Sequence, residues 1–279
     1  MLELHRHLDA RAFLTRAEPW LLTREIEHGG VLQSARQARA DDRGYERPIY
    51  WATIEDGGQL VGCAYRTPPY KVGVTVLPDA AIAPLVADLA ATYPGSIGGF
   101  SGPDPTVTTL ASAWVERRGG SWSIDTRGRL MSFSGSIGGD TVLKRGVLRL
   151  AGANDTALAQ SWGAAASIDS GIAALDGNLC AQLLRAKLLY FWSDDQPRCM
   201  IGLLRETRDS IAIGIVYTPA AFRGQGYGTA ALHALNHLLD ERGVKNRYLW
   251  ADSKNDGAQA LSAMLGCRLV YDSLDIDCA

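Results

Sequence analysis

A strand that runs into a glycine-rich turn and then into a helix constrains this chain more than any other feature. The apolar run 211–216 is typical of a buried strand, and Pro219 ends it because proline has no backbone N–H for a sheet ladder. Apolar residues recur at helical spacing over 231–239. A helix is therefore predicted to begin near Gly226.

The turn between the strand and the helix has the composition of a phosphate-binding loop. Three alternate residues are glycines: Gly224, Gly226 and Gly228. The first N–H groups of a helix lie at the positive end of its dipole, so small residues there allow the backbone to surround an anion. The order is not G-x-x-x-x-G-K-[ST], and no G-x-G-x-x-G with a later acidic partner is present. Neither a P-loop nor a dinucleotide-binding Rossmann motif fits.

The loop reads Arg223-x-x-Gly226-x-Gly228, which resembles the [RQ]-x-x-G-x-[GA] signature of the GNAT acetyltransferase superfamily. Flanking residues extend the resemblance over residues 147–279. The family's order and spacing also match segment 216–219 before the loop, Asp252 and Asn255 after the next strand, and segment 265–268 after the following helix.

The resemblance implies acetyl-CoA as co-substrate, with backbone amides of 224–229 around its diphosphate. Main-chain groups of Val216 and Thr218 would pair with the pantetheine arm as an added strand. Asn255 matches an asparagine that reaches this arm, and it is also a good N-cap for a helix that begins at Asp256. The residues assigned to acyl-CoA are Val216, Thr218, Arg223, Gly224, Gln225, Gly226, Tyr227, Gly228, Thr229 and Asn255.

The general acid departs from the family pattern. Many GNAT enzymes use a tyrosine on the helix after the fifth strand to protonate the leaving thiolate, and the corresponding residue here is Ser262. A phenol has a pKa of about 10 and an aliphatic hydroxyl is far less acidic, so Ser262 is better suited to position a water. Tyr217, Tyr248 and Tyr271 are alternative acids, and each is equally compatible with packing.

The candidate base is Asp252, at the carboxyl end of the fifth strand, where parallel strands present ligand contacts. A turn-forming or capping role for Asp252 is an equal alternative. Glu206 and a chain of waters are further candidates for the base. Asp252 and Ser262 are thus the predicted catalytic residues, with Trp192 and Trp250 as a hypothetical apolar wall for the acceptor.

The composition excludes several other classes. The 279 residues carry a net charge of −2 without blocks of like charge, which disfavours nucleic acid and anionic membrane as partners. Five scattered cysteines and the absence of a signal-like N-terminus predict a cytoplasmic protein that does not span a membrane. His233 and His237 have i,i+4 spacing but no third ligand, so no metal is predicted.

The two halves share one order of elements although their sequences barely match, which predicts a tandem duplication. The fold class is α/β (α+β), with two GNAT-like mixed-sheet domains: 1–135 degenerate, 136–146 a Gly/Ser-rich linker, and 147–279 with the acyl-CoA site. In the first half, residues 1–40 are predicted helical, 49–55 and 59–67 are predicted strands, and 79–92 is a predicted helix. The second half is predicted to close with a strand pair around 268–277. Segment 79–84, the counterpart of the loop, has neither glycine nor arginine. A cofactor site is therefore expected in the C-terminal half alone.

These features predict an N-acyltransferase that moves an acetyl group from acetyl-CoA to the primary amine of a small molecule by direct attack. One alternative is another acyl thioester or an acyl carrier protein as donor, in specialised metabolism. Another is a non-catalytic acyl-CoA sensor. The sequence assigns neither the acceptor nor the oligomeric state.

Overall fold

The computed structural model describes residues 1–133, 145–170, 176–206 and 209–279, with the side chains of Arg205, Glu206 and Met264 excepted. Most of the predicted linker, 136–144, lies outside these residues. The chain forms two compact units. The first comprises Met1–Leu130, Asp252–Lys254 and Leu269–Ala279, and the second comprises Met131–Ala251 and Asn255–Arg268.

The described residues form eight α-helices and twelve β-strands. The helices are α1 (Ala10–Leu21), α2 (Glu25–Ala40), α3 (Ile82–Thr92), α4 (Thr106–Arg118), α5 (Thr156–Ser170), α6 (Gly177–Arg185), α7 (Tyr227–Glu241) and α8 (Asp256–Met264). The strands are β1 (Leu2–Arg6), β2 (Tyr50–Asp56), β3 (Gln59–Arg66), β4 (Val72–Val74), β5 (Gly99–Pro103), β6 (Trp122–Phe133), β7 (Val147–Leu150), β8 (Leu189–Ser193), β9 (Pro197–Glu206), β10 (Ser210–Tyr217), β11 (Asn246–Asp252) and β12 (Arg268–Cys278). This composition confirms the predicted mixed α/β class.

The first unit is built on strands in the order β1-β2-β3-β4-β5-β12-β6. Neighbours from β1 to β4 are antiparallel, and β4 and β5 are parallel. Alternate residues of β2 enter different cores: Tyr50 and Ile54 pack with α3 and α4, whereas Trp51 packs with α1 and α2. Because successive side chains of a strand point to opposite faces, helices cover both faces of this sheet.

The second unit repeats this plan with strands in the order β11-β10-β9-β8-β7. The pairs from β7 to β10 are antiparallel, and β10 and β11 are parallel. Ile201 of β9 lies in a core with Leu232 and Leu235 of α7, and its neighbour Met200 lies in a core with Leu183 of α6. Helices therefore cover both faces here as well.

The order of elements is the same in both halves: strand, two helices, three strands, helix, strand, helix, strand. The repeat agrees with the shared order of elements inferred from the sequence. The boundaries predicted at 135 and 147 stay predictions. At the C-terminal end the compact units differ from the predicted division, because β12 pairs antiparallel with β5 and groups with the first unit.

Two details of the sequence interpretation are wrong. Residues 2–6 are not helical but form β1, because Leu2 and Leu4 pack on the core and the strand pairs antiparallel with β2. The predicted closing strand pair around 268–277 is one long strand, β12, because its antiparallel neighbour is β5. Among the described residues, no helix is long and apolar enough to cross a membrane.

Candidate functional site

The parallel strands β10 and β11 separate toward their carboxyl ends. Their pairing runs from Ser210 opposite Asn246 to Ile213 opposite Leu249 and goes no further. β10 nevertheless continues to Tyr217, and it stays paired with β9 as far as Met200. One edge of segment 215–217 is therefore held by β9, and the β11 side of this segment has left the ladder. An extended amide chain can add to such an edge as a further strand.

An irregularity in β10 lies at the point where the two strands separate. The register with β9 skips Leu204 on one strand and Gly214 on the other. A Cβ on Gly214 would overlap the Leu204 side chain, so a larger residue at this position would require Leu204 to move. Ile213 packs with the α7 core, and Ile215 packs with the α6 core, although residues two apart in a regular strand share one face. The bulge thus rotates the end of β10.

The glycine-rich loop follows β10 and leads directly into α7. A single 3₁₀ turn, Ala220–Phe222, precedes it. Gly224 and Gly226 have φ of +69° and +82°, values that glycine adopts without strain, and a Cβ on either would meet no protein atom within 4 Å. Both glycines are thus required by the backbone conformation.

The start of α7 has the geometry of an anion site. Gly226 is the N-cap, and within the described residues no side chain caps this helix. Along the helix, the Ala230 N–H donates to the Gly226 carbonyl at 3.0 Å. The preceding N–H groups of the first turn point out of the helix end, toward the loop.

Side chains of the loop hold its own backbone. Arg223 Nε donates to the Thr218 carbonyl oxygen at 2.9 Å, and its guanidinium also pairs with Asp169. Gln225 Nε2 donates to the Ala221 carbonyl oxygen at 3.0 Å. The Arg223 N–H donates to the Ala220 carbonyl at 3.3 Å. These two side chains brace the turn, a role that the motif does not reveal.

Asn255 is the N-cap of α8, which is one of the two roles that the sequence predicts for it. Its Oδ1 accepts the Ala258 N–H at 3.0 Å. The cap uses the amide oxygen and leaves the Nδ2 group out of the capping bond. The proposed contact of Asn255 with pantetheine stays a prediction.

Ser262 is buried, with 1% of its surface exposed. Its hydroxyl donates to the Ala258 carbonyl oxygen, one turn earlier in α8, at 2.7 Å. Donating this proton to a thiolate would require that bond to break, so the geometry gives no support to Ser262 as an acid. Of the alternative phenols, Tyr248 is 1% exposed and Tyr271 contacts the Glu27 carbonyl at 3.4 Å. Burial raises the pKa of Tyr217, which lies 3.4 Å from Asp169 Oδ2.

Asp252 is the last residue of β11, and its Oδ1 accepts the Lys254 N–H at 2.8 Å. This bond is the turn-forming role that the sequence left open. The role of Asp252 as a base stays a prediction, and the side chain of Glu206 lies outside the described residues.

Trp192 is not part of an apolar wall beside β10, and that hypothesis is wrong for this residue. It lies on β8, and β9 separates this strand from β10. Trp192 is 2% exposed, and its ring centre lies 5.5 Å from that of Tyr227. Trp250 is on β11 and 38% exposed. In the part of the chain that the structure describes, no group of three or more metal-ligating side chains is present.

The corresponding region of the first unit is closed. β4 and β5 pair in parallel at Val72–Phe100 and Gly73–Ser101. Just beyond, a Cβ on Gly102 would lie 2.6 Å from the Val74 carbonyl oxygen. The Leu77 N–H donates to Thr106 Oγ1 at 3.3 Å and both residues are buried. The backbone groups that would receive a pantetheine arm here are close to, or bonded to, other parts of the same unit.

Three residues that contact the loop were not found from the sequence: Asp169 on α5, Asp194 after β8, and Arg198 on β9. They are distant in sequence from the motif, and no local pattern marks them. The aromatic residues Phe222 and Tyr227 on either side of the loop were the available signal, because such rings often contact an arginine.

Comparison with known proteins identifies a family for the second half of the chain. Residues 172–266 match the acetyltransferase (GNAT) family. This range contains β10, the glycine-rich loop, α7, β11 and α8. A search of curated proteins finds no match.

Solved structures resemble the whole chain at low sequence identity. An acetyltransferase of the GNAT family from Colwellia psychrerythraea has a TM-score of 0.60 at 11% identity, covering 99% of this chain and 100% of its own. A tandem GNAT protein from the clavulanic acid biosynthesis pathway has a TM-score of 0.57 at 13% identity, covering 100% and 98%. A GCN5-related N-acetyltransferase from Sphaerobacter thermophilus has a TM-score of 0.58 at 14% identity, covering 99% and 94%. At these identities the likeness concerns the fold, which is that of two GNAT-like domains in tandem.

Proposed function

We propose that this chain, a member of the GNAT superfamily, transfers an acetyl group from acetyl-CoA to the primary amine of a small molecule. Acyl transfer is the general class that the family match and the fold support. The observation that carries the proposal is the loop that follows β10. Its residues Gly224 and Gly226 have positive φ, and no side chain that the structure describes caps the helix that it leads into. The loop begins just after β10 has separated from β11.

The chemistry of acyl-CoA fits these groups in order along the chain. The diphosphate would lie against the backbone amides of 224–229 and the positive end of α7. The pantetheine arm, which carries two amides, would extend along the exposed edge at Val216 and Thr218. The Thr218 carbonyl is already bonded to Arg223, so we assign its N–H to this contact. Asn255 would add its Nδ2 group.

The reaction itself is a direct attack. The amine nitrogen forms a bond with the thioester carbonyl carbon, the C–S bond breaks, the nitrogen loses a proton and the CoA sulfur gains one. A thiol has a pKa of about 8.5, so the thiolate is a good leaving group near neutral pH even with weak acid assistance. We assign the removal of the amine proton to Asp252 or to water, and the delivery of a proton to sulfur to water rather than to Ser262.

The acceptor and the setting follow from composition. With a net charge of −2 and no basic run, the chain has no feature for nucleic acid or for an anionic membrane surface. We therefore propose a small amine as acceptor, and the five scattered cysteines support the cytoplasm as the compartment.

One observation favours a second candidate function. The hydroxyl at the position of the usual acid is buried and bonded within α8. A protein that binds acyl-CoA without turnover would not need a phenol there.

Release of free CoA thiol in the presence of a panel of small amines tests the proposal. An acetyltransferase releases thiol with at least one amine. If Asp252 is the base, Asp252→Ala releases it at least tenfold more slowly, whereas an unchanged rate assigns the base to water. A sensor binds acetyl-CoA with every amine present and releases none. If free thiol is released only when an acyl carrier protein, instead of CoA, carries the acyl group, the carrier-dependent alternative is correct.

A further inference from the structure

Two ion pairs hold the glycine-rich loop, and each includes at least one residue from outside the motif. In the first pair, Arg223 of the loop contacts Asp169 near the end of α5. The second pair joins Asp194, on the turn between β8 and β9, to Arg198 on β9. All of these residues belong to the second unit. The inference rests on the proposed function, because it concerns the loop to which the diphosphate is assigned.

The first contact holds the beginning of the loop. The Arg223 guanidinium bridges the Asp169 carboxylate and, through Nε, the Thr218 carbonyl oxygen at 2.9 Å. Its central carbon lies 5.8 Å from the ring centre of Tyr217, whose hydroxyl is 3.4 Å from Asp169 Oδ2. Arg223 therefore ties the loop back to the end of β10 and sideways to α5. Nε and one Nη of the guanidinium are thus bonded within the protein.

The second contact spans the loop. Arg198 Nε donates to Asp194 Oδ1 at 2.8 Å. The guanidinium carbon lies 4.5 Å from the ring centre of Phe222, immediately before the loop, and 5.5 Å from that of Tyr227, the first residue of α7. Tyr227 also contacts Asp194 Oδ2 through its hydroxyl at 3.4 Å. One arginine thus touches residues on both sides of segment 223–226.

The charges of the two pairs suit a loop that binds an anion. A carboxylate close to a diphosphate would repel it unless the carboxylate were compensated. Arg198 lowers the pKa of Asp194 through their hydrogen bond, so the carboxylate stays ionised and paired at neutral pH. Each acidic side chain orients an arginine, and each arginine orients the loop.

We propose that Asp169 and Arg198 are positioning residues for acyl-CoA binding. They fix the ends of the loop so that its backbone amides are already in place when the diphosphate arrives, which removes an ordering cost from binding. Arg223 acts in the same way, through the loop rather than by direct contact with phosphate.

The test compares donors with and without a diphosphate. Asp169→Asn and Arg198→Gln are titrated with acetyl-CoA, and KM is measured for acetyl-CoA and for acetyl-pantetheine. The expected result is an about tenfold weaker acetyl-CoA affinity for each variant, or about 1.4 kcal/mol. The KM for acetyl-pantetheine and kcat are expected to stay unchanged, and Asp169→Glu is expected to restore part of the affinity.

A double variant tests how Arg223 works. If Arg223 acts through Asp169, Asp169→Asn combined with Arg223→Gln weakens binding no more than Arg223→Gln alone. If the guanidinium contacts the diphosphate directly, Asp169→Asn binds acetyl-CoA as tightly as the wild type while Arg223→Gln binds it weakly. That result overturns the proposal, as does an equal rise of KM for both donors.

Arg149→Gln is the matched control. Arg149 pairs with Asp155 at 2.7 Å and lies 5.4 Å from the ring centre of Phe191, so it repeats the chemistry of Arg198 elsewhere in the second unit. Its acetyl-CoA affinity is expected to equal that of the wild type. Thermal unfolding identifies any variant that has lost its fold, and Arg198→Lys then replaces Arg198→Gln. A wild type that binds no acetyl-CoA refutes the proposed function, whereas variants that bind like a competent wild type refute this inference alone.

Discussion

At the scale of single residues, Asn255 is expected to serve two roles at once. Asn255 caps α8 with its oxygen and is assigned to pantetheine with its nitrogen, and the sequence had left both roles open. The cap could be predicted because it depends on neighbours three residues away. The partners of Ser262 could not be assigned in the same way, since a serine within a helix either faces outward or bonds back to the preceding turn.

Asn255→Asp separates the two demands on this residue. An aspartate oxygen caps α8 equally well, but the amide donor is lost, so we expect unchanged thermal stability and at least fivefold weaker acetyl-CoA binding. Asn255→Ala is expected to lower the free energy of unfolding by about 1 kcal/mol as well. Denaturant unfolding and calorimetry of both variants provide the check. If Asn255→Asp binds acetyl-CoA with wild-type affinity, Asn255 does not contact the pantetheine arm.

Asp155 gives the protein a stability contribution that depends on pH. Its hydrogen bonds with Arg149, at 2.7 and 2.8 Å, lower the pKa of its carboxyl below the ordinary 3.8. A lowered folded-state pKa stabilises the fold at any pH above the unfolded value, and this stabilisation is lost as the pH falls through the folded value. Arg149 is 39% exposed, so solvent limits the contribution to about 1 kcal/mol.

Urea unfolding of the wild type and of Asp155→Asn between pH 7 and pH 3 measures this contribution. We expect the wild type to be more stable by a constant amount from pH 7 to about pH 5 and the difference to shrink below about pH 4. A difference that grows toward acid pH would have the wrong sign for a lowered pKa and would contradict the assignment.

At the scale of elements, the bulge at Gly214 determines how β10 leaves β11. Leu204 occupies the space next to Gly214, and the register skips both residues. The strand itself was predicted from its apolar run, together with its end before Pro219. The bulge was not predicted, because it depends on a side chain of the neighbouring strand rather than on the sequence of β10.

Gly214→Ala is expected to destabilise the protein by about 1–3 kcal/mol, because the new methyl group overlaps Leu204. Leu204→Ala in the same chain removes the overlapping atoms, so the double variant should be more stable than the sum of the two single changes predicts. Thermal unfolding of the three variants measures this coupling. Strict additivity would show that Leu204 is not what excludes a side chain at position 214.

The same contrast between local and distant causes applies to whole elements. Strands β2, β3 and β10, helices α3 and α7, and the loop between β10 and α7 were predicted because their signals lie within the elements themselves. β1 was missed because its five residues follow an alternating pattern that becomes clear only when β2 is known as its partner. The pairing of β12 with β5 joins residues more than 160 positions apart, and no local pattern specifies it.

At the scale of the whole molecule, the described residues contain one order of elements twice, and the loop that we propose to bind an anion occurs among them in the second unit alone. In the second unit, β10 has a bulge at Gly214 and leads into a loop with positive-φ glycines at 224 and 226, whereas in the first unit the backbone approaches itself at Val74 and Gly102. The absence of glycine from segment 79–84 predicted that the first unit lacks such a loop. The hydrogen bond from Leu77 to Thr106 shows how the backbone there is bonded instead. Each chain is therefore expected to bind one acyl-CoA.

Calorimetric titration with acetyl-CoA is the measurement that tests the central claim most directly. We expect one binding event per chain in the wild type and none in Gly226→Trp, where φ of +82° and the new ring distort the loop. Gly243→Trp is the matched control, since Gly243 also has a positive φ of +73° and open surroundings, but lies beyond the other end of α7. The account predicts normal binding for this variant. A wild type without binding, or a Gly226→Trp protein that binds like the wild type, would contradict the assignment of the loop to acyl-CoA.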